Sequence, residues 1–269
     1  MKVNCIEDIR VQDEFIFNIF KRNFPIVKEH LTKTKYPKTL LAMIILDTGA
    51  NCLKCSIFDV AENTDLYGAK VLFRSLIEHF LRFNFLYLTC AKEKSDQAGE
   101  EYLTFCNAKD ELDLAKAYKT VNAMWSSTPN NETWENILKG LQNPLYKNYS
   151  KQFIENKVKK YTYKNLIKSI NLMINYDTKD IDPGLLGSII IAYSELSSFV
   201  HGSQFAFRKM EEVITNNTLD SELVEICKMT FMLSSIIKMF SYSLFLNEDS
   251  RLTTAFKEIQ DLINAFSKE

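Results

Sequence analysis

Apolar side chains recur three and four residues apart along almost the whole of this chain, with no convincing pair of period-two strands. That pattern restricts the fold to helices packed on helices. Turn-forming residues are scarce, with seven glycines and five prolines in 269 residues, so elements are long and joints few. The expectation is an all-α, multi-helix bundle of roughly eight to eleven helices in a single domain over residues 1–269.

Caps and breakers divide the pattern into segments. Residues 9–34 read as one or two helices, with Phe15, Ile16, Ile19, Phe20 and Phe24 on an apolar face and Pro25 in an opening turn or a kink. Pro37 lies near the start of a second segment, Leu40–Val60, apolar enough to cross the centre of a bundle; Gly49 within it permits close helix contact or a kink, with contact preferred. Asp65 caps a third helix, Leu66 to about Cys90, with Leu72, Leu76, Leu81, Phe85 and Leu88 facing the core. The polar stretch Lys92–Glu101, which includes Gly99, holds the next turn.

In the middle of the chain Leu112, Leu114, Ala115, Tyr118, Val121 and Trp125 keep helical spacing. Ser126–Asn131 reads as a loop, Trp134, Ile137 and Leu138 as a short helix, and Asn143-Pro144 as its break. Residues 95–160 are read as an inserted or lid segment, and within them 102–160 is open to three readings: a lid, an inserted hairpin or a dimer arm. Helices then follow at Tyr163–Tyr176, from Asp182-Pro183 to about His201, at Phe205–Thr215, at Leu219–Phe245 and after Asp249-Ser250.

Charge and cysteine usage exclude several functions. There are 33 basic and 34 acidic residues, a net charge of -1, which argues against a broad nucleic-acid coat but leaves room for a small local RNA site. Lys157, Lys159, Lys160, Lys164 and Lys168 form a locally basic stretch, read as a solvated helix face or a contact for an anionic partner. The apolar runs Leu185–Val200 and Met229–Leu246 carry Glu195 and Lys238, which suits a helical core better than a bilayer. Glu7, Asp8 and Asp13 interrupt the first stretch, so no signal peptide is read there and the expected location is cytoplasmic. Of six cysteines only Cys52 and Cys55 have ligand-like spacing, and no second pair accompanies them; all six are read as small buried side chains and no metal is expected. Phosphate-loop, dinucleotide and serine-elbow patterns are absent, and no cofactor is expected.

Two polar stripes stand out inside apolar helices. Arg74, Glu78 and Arg82 form one; Tyr193, Ser197 and His201 form the other. Residues four apart share a helix face, and buried polar groups need partners, so the stripes are expected to meet each other or a ligand. His201 is the only histidine in the last two-thirds of the chain, and its imidazole can serve as base or acid near neutrality. Arg74, Ser75 and His79 also spell an R-x4-H sequence, although residues five apart on a regular helix diverge by about 140°. His30 is read as a surface residue beside Glu29 and Lys33.

These residue types suit metal-independent RNA cleavage. A base must take the ribose 2′-hydroxyl proton, a cation must offset charge on the phosphate, and an acid must protonate the leaving oxygen. His201, Arg74 and Glu78 are the candidate catalytic group, with Tyr193, Ser197, Arg82, Ser75 and His79 as substrate-binding candidates. A satisfied core network is the alternative reading of the same residues.

The segments RSLIEHFLRFNFLYL, with Arg74 and Glu78, and YSELSSFVHG, with Tyr193, Ser197 and His201, resemble uncharacterised bacterial all-helical proteins, DUF5677-like, related to the HEPN superfamily. The resemblance covers about residues 35–245 and implies a HEPN-like core with additional helices. It also implies a dimer, and a metal-independent ribonuclease of toxin–antitoxin or phage-defence systems, partnered by RNA and by a protein antitoxin or regulator. A non-catalytic helical module that binds RNA, a nucleotide or a protein is the alternative it carries. The family nuclease motif has four to six residues between an arginine and its histidine; no arginine precedes His201 at that spacing.

Overall fold

The computed structural model describes residues 5–125, 148–174, 183–244 and 249–266. Among them every long element is an α-helix and none is a strand. In chain order they are α1 (Ile6–Lys33), α2 (Pro37–Glu62), α3 (Leu66–Glu93), α4 (Gln97–Trp125), α5 (Lys151–Val158), α6 (Tyr163–Ile174), α7 (Pro183–Val200), α8 (Gln204–Thr215), α9 (Leu219–Ser243) and α10 (Ser250–Phe266). A 3-10 turn, Lys159–Tyr161, joins α5 to α6.

α3 is the axis of the bundle. Its stretch from Phe83 to Leu88 is buried all round, including Asn84, whose Nδ2 donates to the Phe80 carbonyl at 2.7 Å. Burying a Leu or Phe side chain contributes about 1.5–3 kcal/mol, enough to override the modest helix propensity of so many aromatics. α2 runs beside α3, and α9 packs on both. α6 and α7 also pack on α3, α4 on α2 and α3, and α1 and α10 on α9. A small second cluster, Phe105, Ala108, Leu112 and Ile154, joins α4 to α5.

Helix ends explain the joints. Asp65 accepts from the Gly68 amide at 2.8 Å and caps α3. Asp96 receives the amides of Lys38 and Thr39 at 2.9 and 2.7 Å, so a carboxylate beside α4 caps α2 from outside its own helix. Gly99 is not a turn residue: it lies inside α4, where a Cβ would stand 2.2 Å from the Thr39 nitrogen. Gly49 does mark a close contact, since a Cβ there would be 2.7 Å from His79 Nε2. Pro25 lies within the unbroken α1; buried Phe20, Asn23 and Val27 on either side hold the helix across the missing amide.

Other expectations are corrected. Phe15 is 56% exposed, because the buried face of α1 runs through Ile9, Asp13, Ile16, Phe20, Asn23 and Val27. Along α4, Leu112 is buried, but Leu114, Tyr118 and Val121 face outward. Cys5, Cys52 and Cys55 are exposed, and only Cys90 and Cys227 are fully buried. His30 is largely covered and faces Asp249, with Nε2 3.7 Å from Oδ2. In the basic stretch, Lys157 and Lys160 both turn to Glu101 of α4. Partial burial opposes ionisation of Glu101, but the ammonium of Lys160, then that of Lys157, outweighs it and holds the carboxyl below its usual range. The Ser126–Asn131 loop, Trp134, Ile137, Leu138, the Asn143-Pro144 break and the Asp182 cap lie outside the described residues.

One described helix, Pro37–Glu62, is long and apolar enough to cross a membrane. In the bundle it carries two buried ions. Lys54 Nζ meets Asp13 of α1 at 2.5 Å, and Asp47 faces Lys238 of α9 at 3.5 Å.

Candidate active site on the seam between two helices

The two polar stripes meet where α3 and α7 pack. Arg74 and Glu78 are one turn apart on α3; Tyr193 and Ser197 are one turn apart on α7. Leu76, Ile77 and Phe80 on one helix and Ile189, Leu196 and Phe199 on the other are buried, and their burial fixes the rotation of both helices. The four polar residues are left along a half-buried seam.

Arg74 is held from three sides. Its Nη2 donates to the Tyr193 hydroxyl at 2.7 Å and lies 3.2 Å from Glu78 Oε1. Its Nε donates to Ser197 Oγ at 3.3 Å. The Ser197 hydroxyl in turn donates to the Tyr193 carbonyl at 2.9 Å, which turns an oxygen lone pair toward the guanidinium. Tyr193 donates to Glu78 Oε1 at 2.7 Å, so Arg74, Tyr193 and Glu78 form a closed triangle. Burial, and then the Glu78 carboxylate, push the Tyr193 phenol up to about 12. Arg82 extends the stripe more loosely, with Nη2 3.8 Å from Glu78 Oε2.

Tyr163 of α6 completes the seam. Its ring stacks on Tyr193 with centroids 3.5 Å apart and planes 7° from parallel, and its hydroxyl donates to the Ile190 carbonyl at 3.2 Å. In the sequence Tyr163 stands at a helix start with no mark of a site role. Only the packing of α6 against α3 and α7 brings it there, and no local spacing announces it. Tyr67 and Lys70, also not singled out, hold the other end of α7: Tyr67 donates to the Phe199 carbonyl, and Lys70 pairs with Glu195 at 3.0 Å and Glu222 at 3.2 Å.

His201 lies just past the last turn of α7. Its amide bonds the Ser197 carbonyl at 3.3 Å, and Gly202 follows at φ +58°. The Ser203 amide returns to the Ser198 carbonyl at 3.0 Å, which closes the helix by a left-handed glycine turn. Ser203 then caps α8, which leaves at a bend of 104°. The imidazole of His201 is exposed, and no described residue hydrogen-bonds or ion-pairs with it. The seam therefore brings together Arg74, Glu78, Tyr193 and Ser197, with Arg82 at its edge, and leaves His201 one turn beyond.

His79 takes no part. Its Nδ1 faces the Ser75 carbonyl at 3.0 Å and its ring packs on Gly49 of α2. Burial lowers its pKa, with the Ser75 contact opposing. Arg74 and His79 thus diverge, as their five-residue spacing requires, and Ser75 supplies its carbonyl to His79. Among the described residues no group of three histidine, cysteine or acidic side chains is arranged to hold a metal ion.

The arrangement presents an oriented guanidinium, two hydroxyls and stacked phenol rings beside an open imidazole. Groups of these types can recognise an anion, and an imidazole can carry a proton. The model of a family of unknown function, DUF5677, matches residues 50–218, more than half of the chain, and the chain belongs to that family. The matched region includes all of α3, α6 and α7 and so every residue of the seam. No curated protein and no solved structure matches the chain.

Proposed function

We propose that this member of the DUF5677 family is a metal-independent endoribonuclease with a HEPN-like core, acting in a toxin-like or phage-defence role. The observation that carries the reading is the seam itself: Arg74 is fixed by Glu78, Tyr193 and Ser197, and His201, four residues after Ser197, has no partner among the described residues. Four helical residues rise about 6 Å, within the reach of one nucleotide. In the proposed reaction His201 takes the proton of the ribose 2′-hydroxyl, and the 2′-oxygen attacks phosphorus. Arg74 offsets the added charge, and the 5′-oxygen departs with a proton from a second imidazole. The products are a 2′,3′-cyclic phosphate and a 5′-hydroxyl. A two-fold dimer that apposes two such turns supplies the second imidazole.

A binding module without catalysis is favoured by one specific fact: the Nε and Nη2 donors of Arg74 are already engaged inside the protein. One experiment separates the readings. Wild type and His201→Ala are incubated with pooled structured and single-stranded RNAs in EDTA, and the new ends are sequenced. Cleavage by wild type alone supports the nuclease; saturable RNA binding with no new ends supports the binding module and overturns catalysis.

A further inference from the structure

A cation and two rings form a layered stack at the seam. Tyr163 lies parallel to Tyr193 with centroids 3.5 Å apart, so it covers one face of that ring. The Arg74 guanidinium, 4.7 Å from the Tyr193 centroid, is left the other face. The order is therefore Arg74, Tyr193, Tyr163. Tyr193 is buried, whereas the outer layer, Tyr163, stays partly exposed. Its hydroxyl is tied to the Ile190 carbonyl at 3.2 Å, which holds the ring in place. Among the described residues no second ring and no cation lies against it.

The basic stretch that leads into α6 is only partly engaged inside the protein. Lys157 and Lys160 pair with Glu101, and Lys159 Nζ donates to Asn156 at 2.8 Å. Lys164 and Lys168, one turn apart on α6, are exposed and have no hydrogen-bond or ion-pair partner among the described residues. A fixed flat ring beside Arg74, followed along its own helix by two unpaired ammonium groups, suits a ligand that is both flat and anionic. Nucleotides have both properties, since every base has a face to stack and every link carries a phosphate. The two lysines repeat the charge along the helix, which suits a strand rather than one nucleotide. In a duplex the bases are stacked on their neighbours, so an unpaired base splayed from its strand is the one that can extend this stack.

We propose that Tyr163 is a stacking platform for one unpaired RNA base, and that Lys164 and Lys168 contact phosphates of the same strand. The proposal rests on the RNA reading of the seam and narrows the substrate to single-stranded RNA. The platform is tolerant of sequence, because Tyr163 meets the face of the base and not its edge.

The test uses the full chain and a mixed-sequence 2′-O-methyl RNA hexamer, which has no free 2′-hydroxyl and so stays intact in the proposed reaction. Fluorescence anisotropy compares this strand with its duplex and with the same ribose-phosphate chain lacking bases. Wild type is expected to prefer the base-bearing single strand to either of them by about tenfold. Tyr163→Leu is expected to lose the preference over the base-free chain, and Tyr163→Phe to keep it. A purely structural part for Tyr163, seating Tyr193 and Arg74, would weaken both chains alike and leave their ratio unchanged. Lys164→Gln combined with Lys168→Gln is expected to lower the slope of log affinity against log salt by about 1.4. RNA binding by wild type without preference for the bases, or with that preference intact in Tyr163→Leu, overturns the platform and leaves the RNA reading standing. Equal affinity for the duplex, an unchanged salt slope in the lysine variant, or competition by a free mononucleotide at equal affinity overturns the single strand as ligand. No RNA binding by wild type overturns this proposal and the RNA reading together. If Tyr163→Leu does not unfold cooperatively, the wild-type ratio of the two chains and the lysine slope decide.

Discussion

The guanidinium of Arg74 lies over the ring of Tyr193, 4.7 Å from its centroid, while its Nη2 donates to the hydroxyl of the same residue at 2.7 Å. One tyrosine therefore fixes the arginine by both its face and its tip. Tyr193→Phe keeps the ring stacked on Tyr163 but removes a hydroxyl that accepts from Arg74 and donates to Glu78. A loss of about 1 kcal/mol is expected, read as a lower urea midpoint at unchanged slope. Tyr193→Ala also loses the ring, and about 3 kcal/mol is expected.

Arg74→Lys preserves charge and loses the fork. Lysine cannot reach Tyr193, Glu78 and Ser197 together, because its ammonium is a single point. RNA binding is expected to keep its salt dependence while cleavage falls at least about tenfold. Equal cleavage rates for the two proteins would show that the guanidinium geometry is irrelevant to the reaction.

Alkaline titration reads the same residue. A folded phenol pKa of about 12 lies above the ordinary value of about 10. The stability tied to neutral Tyr193 is complete below pH 10 and is lost as pH rises toward 12. Ultraviolet difference spectra of wild type and Tyr193→Phe at pH 10 are expected to be nearly alike, since Tyr193 is still protonated there.

Acid titration reads Asp249. Hydrogen bonds from Arg251 outweigh the opposing effect of partial burial and hold its carboxyl down to about 2, and His30 adds to the effect. Its contribution is present above pH 4 and lost as pH falls through 2. Asp249→Asn is expected to lower stability at pH 7 and to flatten the wild-type decline between pH 4 and 2, measured by urea unfolding at each pH.

Two glycines give a graded pair. Gly99→Ala drives a methyl into the Thr39 backbone, which Asp96 holds in place, and about 3 kcal/mol or more is expected. Gly49→Ala meets the edge of the His79 ring instead, so His79→Ala is expected to relieve most of its cost in a double-mutant cycle. Additive effects at positions 49 and 79 would contradict the contact.

The helices and the meeting of the stripes were legible because both rest on local spacing. Arg74 with Glu78 and Tyr193 with Ser197 each lie four apart, and apolar neighbours set which way they face. Tyr163 was not legible, since its place depends on how α6 docks. Nor were the buried ion pairs: Asp13, Lys54 and Asp47 look like ordinary surface charges, and Lys238, though set in an apolar run, has no partner announced by local spacing until three helices close over them. The joint within Lys92–Glu101 was legible, but the role of Gly99 was not: it lies inside α4 and serves the approach of another backbone. Phe15 was misread because an apolar residue one position off the buried face fits a helical pattern almost as well as one on it.

The two halves of the seam lie 119 residues apart along the chain. As the protein leaves the ribosome, α3 is made long before α7. During that interval Arg74 and Glu78 can neutralise each other one turn apart, so the exposed face of the nascent helix carries its own counter-ion. The arrival of Tyr193 then converts a local pair into a clasp between distant parts of the chain. The clasp can close only when synthesis has passed Ser197, and a truncated product that stops earlier carries the arginine without its partners on α7.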